Sequence, residues 1–293
     1  MAELKLCDVN YVYNRGTPFE VHALKNINLT VGGGITGIIG HTGSGKSTLV
    51  QLFNALSRPT SGTVMMDGVN IWDDPKRIRD IRFRAGLVMQ YPEYQLFAST
   101  VFEDIAFGPR NMGLSEEEVG KRVAAAARFA MLPPNVMERS PFDLSGGQKR
   151  RVALAGIIAM EPEFLVLDEP AAGLDPGGRR AILGGIRKYM KESGTSVIVV
   201  SHSMEDMATY CDRIVVMASG RIVMDGTCAE VFSRSDELIG IGLDIPQVTR
   251  VAAALCDRGV DIGRDVYTVG YAAERIAEIA GVACTPSDGR RDS

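Results

Sequence analysis

Residues 40–47 form one uninterrupted glycine-rich motif, made up of Gly40, His41, Thr42, Gly43, Ser44, Gly45, Lys46 and Ser47. The motif matches G-x-x-x-x-G-K-[ST] at every position, and it stands between a strand-like run, Ile35–Ile39, and a helical pattern. Its glycines allow backbone N–H groups to converge on phosphate oxygens, and the start of the helix adds a favourable dipole. The motif therefore predicts a nucleotide site in which Lys46 reaches the β- and γ-phosphates, Ser47 binds Mg²⁺, and Thr48 continues the cradle.

Short β-branched runs alternate with helical patterns around this motif, which predicts an α/β fold with a largely parallel sheet. The runs that are apolar on both faces, as buried strands are, comprise Ile35–Ile39, Ala85–Met89, Phe164–Leu167 and Val197–Val200. The helices predicted between them are Lys46–Leu56, Gly178–Glu192 and Met204–Tyr210. Two further strands, Leu4–Tyr13 and His22–Val31, predict an antiparallel layer added at the N-terminus.

The alternation is interrupted from about Tyr91 to Arg151, where the pattern is mostly helical and predicts a helical subdomain inserted into the core. Within it, Ser115 and Glu118 have the spacing of a capping box, which would start a helix that continues through Met131. The nucleotide-binding domain as a whole is predicted to occupy residues 3–235.

A second change of pattern begins after residue 235, and residues 236–293 predict a small C-terminal extension. Apolar residues recur at helical spacing before Gly259, and another helix is predicted over Ala272–Ile279. The polar stretch from Pro286 to Ser293 predicts a frayed end.

Composition narrows the possible partners. The 293-residue chain carries 32 basic and 36 acidic side chains, for a net charge of −4. Because it lacks the basic excess of DNA-binding proteins, we expect no nucleic-acid partner. Its five cysteines include no C-x-x-C pair, which favours reduced thiols in a cytosolic protein. The N-terminus has no signal-peptide pattern, and no apolar run approaches the ~18 residues of a membrane span, so a membrane role would require another chain as anchor.

Two carboxylates, Asp168 and Glu169, follow the buried run Phe164–Leu167. The carboxyl end of a strand is where an α/β sheet places ligand chemistry. Asp168 is predicted to hold Mg²⁺, directly or through water, and Glu169 to act on the attacking water as a base. A solvated strand end is the competing interpretation, and the upstream phosphate motif argues against it.

A third motif, Leu144-Ser145-Gly146-Gly147-Gln148, lies just upstream of these carboxylates. A serine and two glycines at a helix start offer a hydroxyl and unobstructed N–H groups to an anion. Together the three motifs make the chain resemble the ABC ATPases. The resemblance implies a P-loop NTPase fold that hydrolyses ATP as a dimer, and it makes Ser145, Gly146, Gly147 and Gln148 contacts to ATP held by a second subunit.

Two more matches complete the catalytic and metal sets that this resemblance implies. Gln90, which ends the strand-like run Ala85–Met89, matches the glutamine that reaches Mg²⁺ and the water. His202 follows Val197–Val200 and matches the histidine that senses the γ-phosphate. The implied catalytic residues are thus Glu169, His202, Gln90 and Lys46, and the implied Mg²⁺ ligands are Ser47, Gln90 and Asp168.

The same resemblance implies two peripheral nucleotide contacts. Asp175 follows Glu169 at the spacing of the loop that contacts the partner subunit. Tyr13 matches the aromatic residue that stacks on adenine, and Tyr11 is an alternative for that place.

Within the ABC ATPases, the chain is most similar to those of energy-coupling-factor transporters, which import vitamins and metal ions. The segments that carry this similarity are Gln90–Phe97, Asp104–Pro109, Leu144–Gly156 and Pro246–Gly259. The similarity spans about residues 3–260. It implies a second ATPase subunit, identical or different, together with a transmembrane coupling protein and a substrate-binding membrane protein, at the cytoplasmic face of the cell membrane.

The segment Tyr91–Phe97 is predicted to contact that membrane partner, because three aromatic residues lie beside one acid, Glu93. The alternative is that these aromatics only pin the subdomain to the core. Two other functions stay open: the ATPase of a conventional ABC transporter, and a soluble ABC ATPase acting on DNA or ribosomes. The second is disfavoured because about a hundred residues separate the phosphate motif from Ser145, too few for a long coiled-coil insertion, and because the chain has one cassette.

Overall fold

Two β-sheets organise residues 2–281, the part of the chain that this computed structural model describes. The strands are, in chain order, β1 (Leu4–Tyr13), β2 (Val21–Val31), β3 (Ile35–Gly40), β4 (Ser61–Met66), β5 (Val69–Asn70), β6 (Ala85–Val88), β7 (Phe164–Asp168), β8 (Ser196–Val200), β9 (Arg213–Ala218) and β10 (Arg221–Thr227). The predicted frayed end from Pro286 lies outside the described residues.

Helices connect and cover these sheets. In chain order they are α1 (Lys46–Phe53), α2 (Ile78–Arg84), α3 (Val101–Asn111), α4 (Glu116–Phe129), α5 (Gly146–Ile158), α6 (Pro176–Ser193), α7 (Met204–Tyr210), α8 (Cys228–Phe232), α9 (Ser235–Gly240), α10 (Gln247–Asp257) and α11 (Val269–Ala280). A short 3-10 turn, Pro92–Gln95, precedes α3.

The larger sheet has the strand order β10-β9-β3-β8-β7-β6, and every pair except β10–β9 is parallel. Side chains alternate between two cores, because successive residues of a strand point to opposite faces. In β7, Leu165 and Leu167 pack with the helical subdomain, whereas Phe164 and Val166 pack against α1 and the smaller sheet. The predicted α/β fold is confirmed.

The smaller sheet, β2-β1-β4-β5, is antiparallel and covers the second of these cores. Its first two strands agree with the predicted N-terminal layer, while β4 and β5 extend it. The hairpin of β9 and β10 was not predicted either. Its turn, Ser219-Gly220, has both φ angles positive, at 50° and 79°. A small residue followed by glycine is the sequence signal that marks such a turn.

Several predicted helix ends are wrong by a few residues. Helix α1 ends at Phe53 and not at Leu56, since the chain passes through a left-handed conformation at Ala55 (φ 52°). Helix α4 ends at Phe129, two residues before Met131. Only half of the predicted capping box forms, because Ser115 caps the helix while the Glu118 carboxylate pairs with Arg122 at 3.3 Å. The predicted subdomain boundary near residue 151 falls inside α5.

The C-terminal extension has a small core of its own, formed by Ala252, Ile262, Val266 and Ala272. The predicted helix over Ala272–Ile279 is present as α11, capped by Thr268. An open cleft of about 950 Å³ lies between this extension and the α7–β9 region. Among residues 2–281, none of the helices combines the length and the apolarity that crossing a bilayer requires.

A substitution at Gly37, in β3, would test how tightly the central strand is packed. A Cβ atom there would lie 2.8 Å from Cys211 Sγ, 2.8 Å from Ile214 Cδ1 and 2.9 Å from Met207 Sδ. We expect Gly37→Ala to destabilise the fold by about 1–3 kcal/mol through overpacking, lowering Tm by roughly 2–4 °C per kcal/mol. Gly184→Ala is the matched control, because a Cβ on this α6 residue meets no atom within 4 Å. It should raise Tm slightly, and equal melting temperatures for the two variants would contradict the packing described.

Candidate nucleotide site

The candidate site lies at one edge of the larger sheet, where parallel strands end together. The register pairs Val88 with Leu167 and Asp168 with Val200. The segments that follow β6, β7 and β8 therefore leave the sheet side by side, and these segments carry Gln90, Glu169 and His202. Strand β3 ends at the same edge and leads into the glycine-rich motif, so the sheet brings four of the predicted segments together.

Lys46 is the buried cation of this edge, with a relative exposure of 6%. Its ammonium donates hydrogen bonds to the carbonyl oxygens of Gly40 at 2.6 Å and His41 at 3.1 Å. Burial lowers the pKa of Lys46, and the charges of Glu169 and Asp168 oppose that shift. The ammonium is thus held inside the loop and faces two carboxylates.

The loop around Lys46 has the features of a phosphate cradle. Gly45 adopts φ 104°, and a Cβ there would lie 2.6 Å from the carbonyl oxygen of Ala23, so only glycine fits. The Ser44 hydroxyl is fully buried and has no hydrogen-bond partner among residues 2–281. Because buried hydroxyls are normally hydrogen-bonded, this unpaired group fits a site that accepts phosphate oxygens. His41 is exposed, and its Nδ1 lies 2.7 Å from the Thr42 carbonyl oxygen.

Asp168 and Ser47 form the oxygen-rich part of the site. The Asp168 side chain is buried, and burial raises its pKa more than the neighbouring Ser47 hydroxyl and Lys46 ammonium lower it. A carboxylate and a hydroxyl are the kind of oxygen ligands that Mg²⁺ accepts from a protein. These two residues therefore fit the predicted metal role, and Gln90 lies at the same sheet edge.

Glu169 has an unusual backbone and an unusual pKa. Its φ of 52° is left-handed, and its N–H donates to the Val200 carbonyl oxygen at 2.9 Å, which fixes the side chain at the sheet edge. Burial, followed by the charge of Asp168, raises its pKa to about 6. One carboxylate oxygen, Oε1, is buried without a hydrogen bond. An acceptor in this position suits a general base.

His202 lies beside Glu169, with 3.5 Å between its Nε2 atom and Glu169 Oε1. This distance is too long for a good hydrogen bond. Burial and the charge of Lys46 lower the pKa of His202, so the imidazole is neutral at pH 7. Ser201, which sequence analysis missed, is buried beside Glu169, and its hydroxyl partly opposes the rise in the pKa of Glu169. Its place between a predicted strand and His202 is the signal that would have drawn attention to it.

The positions of Tyr13 and Tyr11 indicate which of the two is better placed to stack on adenine. The Tyr13 hydroxyl lies 3.0 Å from Thr48 Oγ1, at the start of α1, and the side chain is partly exposed. Tyr11 packs against the second core and meets the Tyr13 ring edge-on, with centroids 4.7 Å apart. Tyr13 is therefore the better placed of the two to stack on a base.

The Leu144–Gln148 motif begins α5, and its polar groups satisfy one another. Ser145 caps the helix by accepting from the Gln148 N–H at 3.3 Å, and Gln148 Oε1 in return accepts from the Ser145 N–H at 3.1 Å. A Cβ on Gly146 or Gly147 would meet no atom within 4 Å, so this face is open.

Asp175 likewise acts as a helix cap, accepting from the Gly178 N–H at 2.6 Å at the start of α6. Within the described residues, no hydrogen bond or ion pair joins Asp175 or residues 145–148 to the glycine-rich loop. One chain therefore gathers the P-loop residues, Asp168, Glu169 and His202, and leaves the two caps facing outward.

Comparisons with known proteins agree with this geometry. Residues 24–172 match the family model described as ABC transporter. The energy-coupling factor transporter ATP-binding protein EcfA2 of Clostridium perfringens is 52% identical over 278 residues, covering 94% of this chain and 98% of the relative. The structure of cbiO1 from Clostridium perfringens, part of the ABC transporter complex cbiONQ, aligns with a TM-score of 0.72 and 39% identity over 85% of this chain and 97% of that one. A dimeric ATP-binding cassette, MJ0796 bound to ADP and Pi, aligns with a TM-score of 0.69 and 31% identity over 76% and 98%.

The raised pKa of Glu169 predicts a pH-dependent stability effect in the nucleotide-free chain. The folded state binds the Glu169 proton more tightly than the unfolded chain, so ionisation destabilises the fold above pH 6 and costs little near pH 4.5. Glu169→Gln should therefore stabilise the protein at pH 8 by on the order of 1 kcal/mol after allowance for solvent screening. That gain corresponds to a Tm increase of roughly 2–4 °C.

The increase should shrink towards zero at pH 4.5. Glu192→Gln provides the control, since Glu192 is an exposed α6 carboxylate paired only with Lys188 at 3.7 Å. Thermal denaturation of both variants at the two pH values decides the matter. A Glu169→Gln increase that is the same at both would show that burial does not penalise the carboxylate.

Proposed function

The chain belongs to the ABC transporter family and resembles its energy-coupling-factor ATP-binding proteins over nearly its whole length, and we propose that it hydrolyses ATP to energise uptake by such a transporter. The observation that carries this proposal is the convergence of Lys46, Asp168, Glu169 and His202 at one sheet edge. An ammonium, two carboxylates and a neutral imidazole beside a phosphate cradle match what phosphoryl transfer to water requires.

In the proposed reaction, the position of each residue determines its role. The loop N–H groups and Lys46 bind the phosphates, with the ammonium exchanging its present carbonyl acceptors for phosphate oxygens. Ser47, Asp168 and Gln90 would hold Mg²⁺, which neutralises charge on the phosphates. Glu169 orients the attacking water and takes its proton, and its raised pKa favours that acceptance near neutral pH. His202, neutral at pH 7, contributes a hydrogen bond at the γ-phosphate.

We propose that the working unit is a dimer, because one chain supplies only half of the predicted contacts. Ser145 and Asp175 are exposed, and among residues 2–281 neither Ser145–Gln148 nor Asp175 bonds to the chain's own P-loop. We propose that they reach ATP across an interface with a second ATPase subunit, identical or different. The likeness to the dimeric MJ0796 cassette supports this arrangement. ATP bound between two subunits would stabilise their association by mass action.

Membrane attachment is proposed to come from partner proteins, a transmembrane coupling protein and a substrate-binding membrane protein, with this chain peripheral at the cytoplasmic face. The docking surface proposed for the coupling protein consists of Tyr91, Tyr94, Phe97 and Phe107. All four are exposed, and Tyr94 is 86% exposed. Phe97 and Phe107 pack edge to face, with centroids 4.8 Å apart. Such exposed aromatics suit a partner helix with apolar side chains.

Glu93, the acid predicted beside these aromatics, adds little to this surface, because its side chain is only 19% exposed and pairs with Arg150 at 3.3 Å. A basic residue on a partner would have to compete with that arginine. The docking surface is therefore aromatic, and Glu93→Lys would disturb the fold instead of testing the contact.

The catalytic part of the proposal is tested with Glu169→Gln. Loss of a general base typically lowers the rate about 10²–10⁴-fold, whereas ATP binding should persist because Lys46 and the loop are unchanged. With saturating Mg-ATP and its partner ATPase, the variant should sediment as a stable dimer, because ATP remains intact at the interface.

Ser145→Arg on the Glu169→Gln background serves as the control, since a bulky side chain on the open face should prevent that dimer without affecting ATP binding by the free chain. Hydrolysis by Glu169→Gln near the wild-type rate would refute the role of Glu169. A complex that stays monomeric with Mg-ATP would refute the shared site.

The docking surface is tested with Tyr94→Ala and Phe97→Ala. Truncating a central interface aromatic costs about 2 kcal/mol or more, so affinity for the coupling protein should fall roughly 30-fold. Tm should stay within about 1 °C, because exposed substitutions have small effects on stability. Phe19→Ala is the control, as Phe19 is also exposed (78%) but lies in the loop between β1 and β2. Unchanged affinity in both docking variants, measured in mild detergent, would remove the surface from consideration.

A further inference from the structure

Arg150 places a buried cation in the middle of α5, five residues after Ser145 in the sequence. Its relative exposure is 8%. One nitrogen of its guanidinium, Nη1, donates to the carbonyl oxygen of Ala172, and another, Nη2, donates to Glu93 Oε1 at 3.3 Å. A buried arginine that is held by a carboxylate and a backbone carbonyl has a defined position, because its planar fork fixes both partners.

The two partners of Arg150 belong to different parts of the ATP site. Glu93 lies in the 3-10 turn Pro92–Gln95, directly after Gln90. Ala172 lies in the loop between Glu169 and the helix cap Asp175. One side chain therefore links the start of the Ser145 helix to the segments that follow the predicted Mg²⁺ glutamine and the predicted base.

Arg150 and Glu93 form one of the two hydrogen bonds that a bidentate pair would have. Arg150 Nε and Glu93 Oε2 are both buried, and neither has a hydrogen-bond partner in the part of the chain that the structure describes. The Nε–H and Nη2–H groups lie on the same edge of a guanidinium, where a carboxylate can accept from both at once. Since unpaired buried polar groups are costly, a small movement of Glu93 that joins Nε to Oε2 would be favourable.

We propose that Arg150 is a positioning residue for ATP hydrolysis, holding the Gln90 segment and the Glu169–Asp175 loop in register with the Ser145 helix. The Glu93–Arg150 pair becomes bidentate when ATP and the partner subunits assemble the site. This inference rests on the proposed function. It implies that displacement of Glu93 moves Ser145 and Ala172 with it, and misplacement of catalytic groups by about 1 Å costs on the order of 10²-fold in rate.

The test compares Arg150→Lys, Arg150→Gln, Glu93→Gln and the double variant Glu93→Gln/Arg150→Gln. Each full chain is assembled with its partner subunits, and kcat, KM and the Kd for ATP are measured. Lysine keeps the charge but cannot bridge two acceptors as a fork does. We therefore expect both Arg150 variants to lose about 10- to 100-fold in kcat, with Kd for ATP within about twofold of the wild type because Lys46 and its loop are untouched. The double variant should be no slower than Arg150→Gln alone.

Arg122→Gln is the matched control. Arg122 is also a largely buried arginine of the helical subdomain, with a side chain 17% exposed, and it pairs with Glu161 at 3.1 Å and donates to the Met160 carbonyl oxygen at 3.3 Å. None of these partners adjoins a predicted site residue. Arg122→Gln should lower Tm about as much as Arg150→Gln while leaving kcat near the wild-type value.

The possible outcomes distinguish failure of this inference from failure of the proposed function on which it rests. If kcat falls equally in the Arg122 and Arg150 variants, Arg150 has only a structural role and the inference is overturned. It is also overturned if the losses in the two single variants multiply in the double variant, because the residues then act independently. Absence of ATP hydrolysis in the wild-type complex would instead refute the proposed function itself.

Discussion

The parallel register of β3, β8, β7 and β6 is the constraint on which the rest of the structure depends. Parallel strands end at a common edge, so every segment that leaves this edge starts within reach of the others. Both faces of the strands are buried, which fixes the register because a shift of one residue would exchange the two cores. Lys46, the adjacent pair Asp168 and Glu169, and His202 come from three separate places in the sequence, yet their positions follow from this one alignment.

The candidate site contains buried charged groups that are electrostatically unfavourable in the free chain. Lys46 is hydrogen-bonded to carbonyl oxygens of its own loop, while burial raises the pKa values of the two neighbouring carboxylates. Glu169 Oε1 has no hydrogen-bond partner among residues 2–281. The left-handed backbone at Glu169 adds conformational strain. The nucleotide and Mg²⁺ proposed for this site would supply the positive and negative partners that these groups lack. The same features that reduce the stability of the free chain therefore prepare it to bind a charged ligand.

The sequence predicted those parts of the fold that depend on local pattern. Continuous apolar runs identified the buried strands, and the glycine motif and paired acids located the site. In the β9–β10 hairpin, β10 is largely exposed and has only three consecutive apolar residues, so its pattern did not indicate a buried strand. The continuous apolar run of β9 was overlooked. Tertiary contacts between distant residues could not be predicted from the sequence for another reason. Arg150 and Glu93 are 57 positions apart, and nothing in the local pattern of either residue shows that α5 brings them together. For the same reason the sequence did not show that Glu93 pairs with Arg150.

The reciprocal cap at Ser145 has a consequence for how subunits separate. Ser145 and Gln148 hydrogen-bond to each other. The start of α5 therefore needs no partner to satisfy these groups when it faces water. In the proposed dimer, a phosphate of ATP held by the second subunit would replace Gln148 as the acceptor, and the cap could form again after the phosphate leaves. This face would therefore keep its hydrogen bonds whether it is hydrated or covered by the partner, as repeated association and separation of the proposed subunits requires.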